Sequence, residues 1–239
     1  MKKAIIIGAS SGIGRELATV MSRHGYVVGI AARRLELLRE LQKELPTESH
    51  VKIIDVTRPA EAMAGVRELI SEMGGTDAVV VSSGISIHNP PLRWESEKET
   101  LEVNVVGFTA MMNVAFNYFC ERGGGHIVGI SSFRGLRGGG SSPAYNASKA
   151  YQSNYLEGLR VKSRKLGKMI DVTDIRPGLV VTPMTAGRSE NLLVAPVAKA
   201  ARQIFQAIER HDTTCYVTKR YRLVACLLRA APYSLYSRI

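Results

Sequence analysis

A chain of 239 residues with 45% apolar and 22% charged side chains has the material for one α/β domain with a sizeable core, and its composition excludes a disordered protein. The formal charge of +11 suits a phosphate-rich cofactor, an acidic partner or a membrane surface, and no nucleic-acid motif accompanies it. Three widely spaced cysteines, Cys120, Cys215 and Cys226, form no CxxC pair and argue against a disulfide framework, so a reducing, cytoplasmic setting is expected.

The apolar run at 4–7 follows Met1-Lys2-Lys3, but it is too short for a signal peptide and leads straight into glycines; it reads as a first strand. No stretch is expected to supply the ~20 apolar residues of a membrane span. Residues 12–24 carry Ile13, Leu17, Val20 and Met21 on one helical face. A second strand is predicted at 26–30, then a charged helix at 35–45 stopped by Pro46. A third strand at 51–54, a helix at 59–73 ended by Gly74-Gly75, and a fourth strand at 78–81 follow. Beyond them come a long helix at about 97–120, a fifth strand at 127–130, a glycine loop at 138–140, a second long helix at about 143–166, and a sixth strand at 170–175. A last strand is placed at 214–218. This β-α alternation without repeat or linker implies one domain over 1–239, a doubly wound parallel sheet of about seven strands with helices on both faces. Cofactor and substrate then meet at the carboxyl ends of the strands.

Gly8-Ala9-Ser10-Ser11-Gly12-Ile13-Gly14 joins the first strand to the first helix. Glycines let backbone approach a pyrophosphate, and the helix N-terminus offers free N–H groups to the anion. The spacing is GxxxGxG, not the GxGxxG of the standard dinucleotide fingerprint. After the second strand, where an acidic residue would hold a ribose 2′-hydroxyl, the chain has Ala31-Ala32-Arg33-Arg34. Two cations there suit the 2′-phosphate of NADP. Arg33, first after the strand, is the better candidate; the alternative is that both arginines solvate the start of a helix. Asp55, in Asp55-Val56, either accepts from an adenine amino group or caps the next helix.

Tyr145 and Lys149 stand four apart early in a predicted helix, so both project to one side. A phenol near its reference pKa of about 10 is a poor base at neutral pH. A neighbouring ammonium favours the phenolate, which makes the pair a candidate general acid/base. Ser132, thirteen residues before Tyr145 and just past the fifth strand, is placed to hydrogen-bond a substrate oxygen, with Ser131 as its near double.

Together these residues resemble the short-chain dehydrogenase/reductase (SDR) family, a Rossmann-type fold. The resemblance runs in motif order from about Lys2 to Thr182 and more loosely to Tyr216. Its carriers are Gly8–Gly14 (GxxxGIG), Asn104-Val105-Val106-Gly107 (NVxG), Gly129-Ile130-Ser131-Ser132, the Tyr145/Lys149 pair, and Pro177-Gly178-Leu179-Val180-Val181-Thr182 (PGxxxT). It implies a catalytic set of Asn104, Ser132, Tyr145 and Lys149. Tyr145 exchanges a proton with the substrate oxygen, Lys149 holds the nicotinamide ribose and lowers the tyrosine pKa, Ser132 orients the carbonyl, and Asn104 holds a water linking Lys149 to solvent. The implied cofactor site comprises Gly8, Ser10, Ser11, Gly12, Ile13, Gly14, Arg33, Asp55, Val56, Gly84, Asn104, Tyr145, Lys149, Pro177, Gly178, Val180 and Thr182, with Val180 and Thr182 at the carboxamide. NADP is expected over NAD, and no metal, since the five histidines are scattered. Family members are commonly dimers or tetramers. One motif departs: where the family has NNAG, this chain has Val81-Ser82-Ser83-Gly84, and Ser82 replaces the asparagine that steadies the sheet.

The substrate loop is expected between Thr182 and Ala195, with Met184, Leu192, Leu193 and Val194 as apolar surface and Arg188 and Glu190 as charges. Residues 199–239 carry a net +6, and from about 219 a basic extension surrounds a short apolar helix. Packing on its own domain or on a second subunit is the favoured reading of that helix, contact with an anionic membrane the other. The expected activity is hydride transfer between NADP(H) and a carbonyl or alcohol carbon of a small molecule. The alternatives are a non-catalytic NADP-binding regulator or scaffold, and a peripheral membrane reductase of lipid or acyl substrates.

Overall fold

The computed structural model describes residues 1–185 and 194–236. Seven parallel strands form one sheet: β1 (Lys3–Ile7), β2 (Val27–Ala32), β3 (Ser49–Ile53), β4 (Ala78–Val81), β5 (Gly124–Ile130), β6 (Met169–Pro177) and β7 (Thr214–Val217). Their order is β3-β2-β1-β4-β5-β6-β7, so the chain winds outward from β1 in one direction, returns, and winds outward in the other. The switch point lies between β1 and β4, where a crevice opens at the carboxyl ends of the strands.

The strands alternate between two cores because successive side chains point to opposite faces. Ala4 and Ile6 of β1, Val28 and Ile30 of β2 and Val80 of β4 face α1 (Gly12–Arg23), α2 (Leu35–Glu44) and α7 (Val197–Glu209), where Leu17, Met21, Leu38, Leu41, Ile204 and Phe205 close the layer. Ile5, Ile7, Val79 and Val81 face α3 (Pro59–Glu72), α5 (Phe108–Arg122) and α6 (Pro143–Lys165), against Val66, Leu69, Met111, Phe119 and Leu156. Strands buried on both faces have no polar side, which is why they read in the sequence as short, uninterrupted apolar runs.

Several bounds differ from those expected. β2 starts at Val27 and extends to Ala32, held on both edges by β1 and β3. β3 starts at Ser49 and ends at Ile53, while Ile54 donates its N–H to Ala32 O just past the ladder. The helix expected at 97–120 is longer and interrupted: α4 (Trp94–Leu101), a π-helical turn over Glu102–Gly107, then α5. This run, Trp94–Arg122, contains an 18-residue window of mean hydropathy 1.2, apolar and long enough to cross a membrane, contrary to expectation; 61% of the window is buried inside the fold, where its apolar side chains form core.

The basic C-terminal segment forms α8 (Tyr221–Ala230) and the short α9 (Tyr233–Tyr236). Tyr221 is buried against Phe133, with ring centroids 4.7 Å apart, and its hydroxyl accepts from Leu179 N–H at 3.1 Å. Arg137 Nη1 donates to Leu228 O and Ala231 O at 3.1 and 2.9 Å. These contacts fasten α8 beside the carboxyl end of β6.

Away from that end, His126 of β5 is buried and stacked on His211 at 4.8 Å. Thr173 Oγ1 spends its proton on Asp212 O at 2.6 Å, so His126 Nε2 is the donor in its 2.8 Å contact with Thr173, which assigns the neutral ring as the Nε2–H tautomer. Burial first, and the neighbouring His211 second, push the imidazole down to about 4. A histidine held neutral in the fold but free to protonate when unfolded stabilises above its unfolded pKa, and that contribution is lost as pH falls toward the folded value. Unfolding by urea should therefore become easier by ~2–3 kcal/mol between pH about 6.5 and about 4.5. His126→Gln should flatten that dependence; an equally steep loss in the variant assigns it elsewhere.

Candidate active site

The first turn of the site is a close approach of two backbones. Gly8 sits at φ +95°, and a Cβ there would lie 2.5 Å from Ser83 N, so a side chain is excluded. Gly14 does not line the cleft. Its hydrogen faces Gly8 O, which a Cβ would meet at 2.3 Å, so its part is to let α1 lie against the loop. Ser11 starts α1 without a side-chain cap, and the first turn has no acid. The first N–H groups of the helix therefore face the cleft as donors for an anion.

Arg34, not only Arg33, belongs to this cradle. Arg34 Nη2 donates to Ser10 Oγ and Ser11 Oγ, both at 2.8 Å, while Arg33 lines the cleft nearby. Sequence order favoured Arg33; the tie between Arg34 and the phosphate loop spans 24 residues and has no local signal. Asp55 Oδ1 accepts from Thr57 N–H at 3.0 Å and from its hydroxyl at 2.8 Å, a turn that precedes α3, whose cap position is Arg58. Burial opposes ionisation of Asp55, but the Thr57 bonds and the charges of Arg33 and Arg58 outweigh it and hold the carboxyl below its ordinary range. Asp55 and Val56 both line the cleft as well.

The same cleft brings together Gly8, Ser10, Ser11, Gly12, Ile13, Gly84, Ser132, Tyr145, Lys149, Pro177, Gly178, Val180 and Thr182. Met184 reaches it; Arg188, Glu190, Leu192 and Leu193 lie outside the described residues. Ser83, given no role of its own in the Val81-Ser82-Ser83-Gly84 motif, also lines it, with a buried hydroxyl that has no hydrogen-bond partner among the described residues. The open helix end, the two arginines and the unused Ser83 hydroxyl make a donor-rich surface that fits a dinucleotide.

Tyr145 and Lys149 come from the first turns of α6. Lys149 Nζ lies 5.8 Å from the Tyr145 ring centroid, and the Arg134 guanidinium lies 5.6 Å from it. The ammonium is buried and donates to Ile130 O at 2.9 Å and Gln152 Oε1 at 2.8 Å. Burial pushes its pKa down to about 7, against the pull of the Asp174 charge. The adjacent serines both line the cleft and separate by their partners. Ser131 gives its proton to the Asp174 carboxylate, which Arg176 Nε also holds at 2.7 Å. Ser132 turns toward the cleft and accepts from Arg134 N–H at 3.2 Å.

Asn104 departs from what the resemblance implied. It is fully buried and does not line the cleft. Its side chain clamps Ile85 in both directions at 2.9 Å and donates to Ser148 Oγ at 3.1 Å. Its carbonyl accepts from Gln152 Nε2 at 2.8 Å. Gln152 was not singled out in the sequence.

The two serines give a paired prediction. Ser131→Ala should lower stability by ~1–3 kcal/mol, since it strips a donor from a buried carboxylate. Ser132→Ala should melt closer to wild type. Thermal melts of the two variants check the order, and a larger loss for Ser132→Ala contradicts this division.

A family model described as short chain dehydrogenase matches residues 2–193. A Myxococcus xanthus protein named an uncharacterized oxidoreductase is 38% identical over 191 residues, 77% of this chain and 74% of the relative. A Mycobacterium tuberculosis oxidoreductase is 34% identical over 219 residues, 87% and 85% of the two chains. The structure of a short-chain dehydrogenase from Sphingobium yanoikuyae in complex with NADPH superposes with a TM-score of 0.81 at 23% identity, covering 100% of this chain and 96% of that one. The strand order, the glycine turn beneath α1 and the Tyr145–Lys149 pair over that cleft now stand with a sequence match over most of the chain: this protein belongs to the short-chain dehydrogenase/reductase family of oxidoreductases.

Proposed function

We propose that the protein transfers hydride between NADP(H) and the carbonyl or alcohol carbon of a small organic substrate, with Tyr145 as acid/base. The observation that carries this reading is the buried Lys149 ammonium beneath the Tyr145 ring, at a cleft that Ser132 also enters. A cation in a low-dielectric site favours the phenolate, so Tyr145 takes a proton in oxidation and returns it in reduction near neutral pH. Ser132 Oγ–H donates to the substrate oxygen and keeps it facing the phenol. The nicotinamide, when bound, supplies or accepts the hydride. The remaining residues position it: the α1 N-terminus at the pyrophosphate, Lys149 at the ribose, Val180 and Thr182 at the carboxamide.

NADP is the proposed partner in preference to NAD. The acid that would hold a 2′-hydroxyl is missing, and Arg33 and Arg34 border the space a 2′-phosphate would enter. The NADPH carried by the similar Sphingobium protein supports the same choice.

The test is NADPH and NADH consumption over ketones, aldehydes and 3-oxoacyl thioesters. Tyr145→Phe should lose roughly 10²–10⁴-fold in turnover while still binding NADPH. Turnover undiminished in Tyr145→Phe contradicts the assignment. Replacing Arg33 with Ala, which leaves the Arg34 bonds to Ser10 and Ser11 in place, should weaken NADPH by about tenfold or more and leave NADH nearly unchanged. Equal affinities for both cofactors, unaltered by the substitution, refute the NADP preference.

One observation favours a second reading, a reductase that works at a membrane surface. Leu223 and Leu227 of α8 are 68% and 64% exposed on one helical face, and Arg222 and Arg229 lie exposed beside them. No acid occurs after Asp212, so the patch complements an anionic bilayer and repels a second copy of itself. Cosedimentation with phosphatidylglycerol vesicles, lost on Leu223→Glu with Leu227→Glu, is the expected result. No binding by the wild-type protein removes this reading.

A further inference from the structure

We propose that Gln152 is the positioning residue of the acid/base pair, its side-chain amide fixed between the Lys149 ammonium and the Asn104 carbonyl. The resemblance implied that Asn104 holds a water linking Lys149 to solvent. In this structure an amino-acid side chain bridges Asn104 and Lys149.

Gln152 stands three residues after Lys149 in α6, on the same inward side, and is fully buried. Its two ends are both used: Oε1 accepts from Lys149 Nζ at 2.8 Å, and Nε2 donates to Asn104 O at 2.8 Å. The two partners fix the amide's orientation. A flipped amide would set its NH2 against an ammonium and its oxygen against a carbonyl, with no hydrogen bond at either end.

The acceptor is available because the backbone around Asn104 is π-helical. Phe108 N–H, whose ordinary partner in an α-helix is Asn104 O, bonds to Val103 O and Val105 O instead. Asn104's own side chain is committed to Ile85 and Ser148. What Asn104 offers to Lys149 is thus its carbonyl, relayed through Gln152.

The groups facing Lys149 set what this does. Tyr145 comes from α6 and Ile130 O from β5; Asp174 of β6 acts through its charge, and Arg134 lies over the Tyr145 ring. At the loop after β4, a Cβ on Gly84 would lie 3.4 Å from Lys149 Nζ, so the backbone closes that side. Among these, the Gln152 oxygen is a neutral acceptor that stabilises the charged lysine without screening it as a carboxylate would. A carboxamide does not ionise near neutral pH. It holds the ammonium in place but does not itself take up or release a proton.

This inference rests on the acid/base reading of Tyr145 and Lys149, but its test needs no substrate. The unloaded protein, with isotope-labelled lysine and tyrosine, is titrated by NMR, and the two signals are assigned with Lys149→Arg and Tyr145→Phe. Gln152→Met keeps the volume and removes both bonds. It should move the Lys149 titration below about 7 and the Tyr145 titration upward, each by roughly one unit. Gln152→Glu keeps an acceptor toward the ammonium and adds a negative charge, so it should move Lys149 upward. Opposite signs in the two variants support positioning. Unchanged titrations, or shifts of the same sign, overturn it, whatever the melting temperatures do. If Gln152→Met does not fold, the upward shift in Gln152→Glu alone decides. Failure of the function reading appears separately, as turnover that survives Tyr145→Phe.

Discussion

The site turns on a buried ammonium. Taking a lysine charge out of water costs several kcal/mol unless partners replace the lost hydration. Lys149 receives two fixed acceptors, Ile130 O and Gln152 Oε1, and a more distant countercharge in Asp174. The result is a cation near its neutral point, not a fully solvated one. Under the proposed acid/base reading, a buried charge acts on Tyr145 far more strongly than the same charge at the surface. The supporting groups come from β5, β6 and α6, and the π-helical turn at Asn104 holds Gln152, so four parts of the fold must meet correctly for one side chain to be charged.

The other half of the cleft uses backbone in place of side chains. Gly8 and Gly14 carry no Cβ because Ser83 and Gly8 O occupy the space. Arg34 crosses from the end of β2 to hold the hydroxyls of Ser10 and Ser11, which shapes the loop before any phosphate arrives. A loop held in its binding conformation loses less entropy on binding. The division between the two halves matches the topology. The loops after β1 and β2 line the proposed anion site, the end of β5 and the start of α6 carry the proposed catalytic side chains, and the switch between β1 and β4 leaves the gap in which both are reached.

Much of this was legible in the chain itself. Apolar runs with no polar alternation read as the parallel strands, and the glycine turn between strand and helix marks the proposed anion site. Tyr145 and Lys149 are visible because a helix puts residues four apart on one side. The offset from Tyr145 favours Ser132 over Ser131; both line the cleft, and the Ser131 hydroxyl is engaged by Asp174. What was not legible depends on contacts between distant residues. Gln152 reads as one more polar residue in a helix; its role appears when a π-turn 48 residues away frees a carbonyl to meet it. Arg34 reads as the second of two cations, and its selection depends on where the chain turns into α2. Ser83 reads as a small loop residue until its hydroxyl is found buried and unused. Strand ends shifted by one or two residues for the same reason: pairing with neighbours, not local propensity, decides where β2 and β3 stop.

The most direct test of this account is the removal of the charge beneath the phenol. Lys149→Met keeps the length and apolar stem of the side chain and deletes the ammonium. On any ketone the wild-type protein reduces with NADPH, the variant should lose roughly 10²–10⁴-fold in turnover, and its Tyr145 should titrate higher than in wild type. A Lys149→Met protein that turns over NADPH at the wild-type rate, with Tyr145 unmoved, would contradict the claim that this buried cation drives the chemistry.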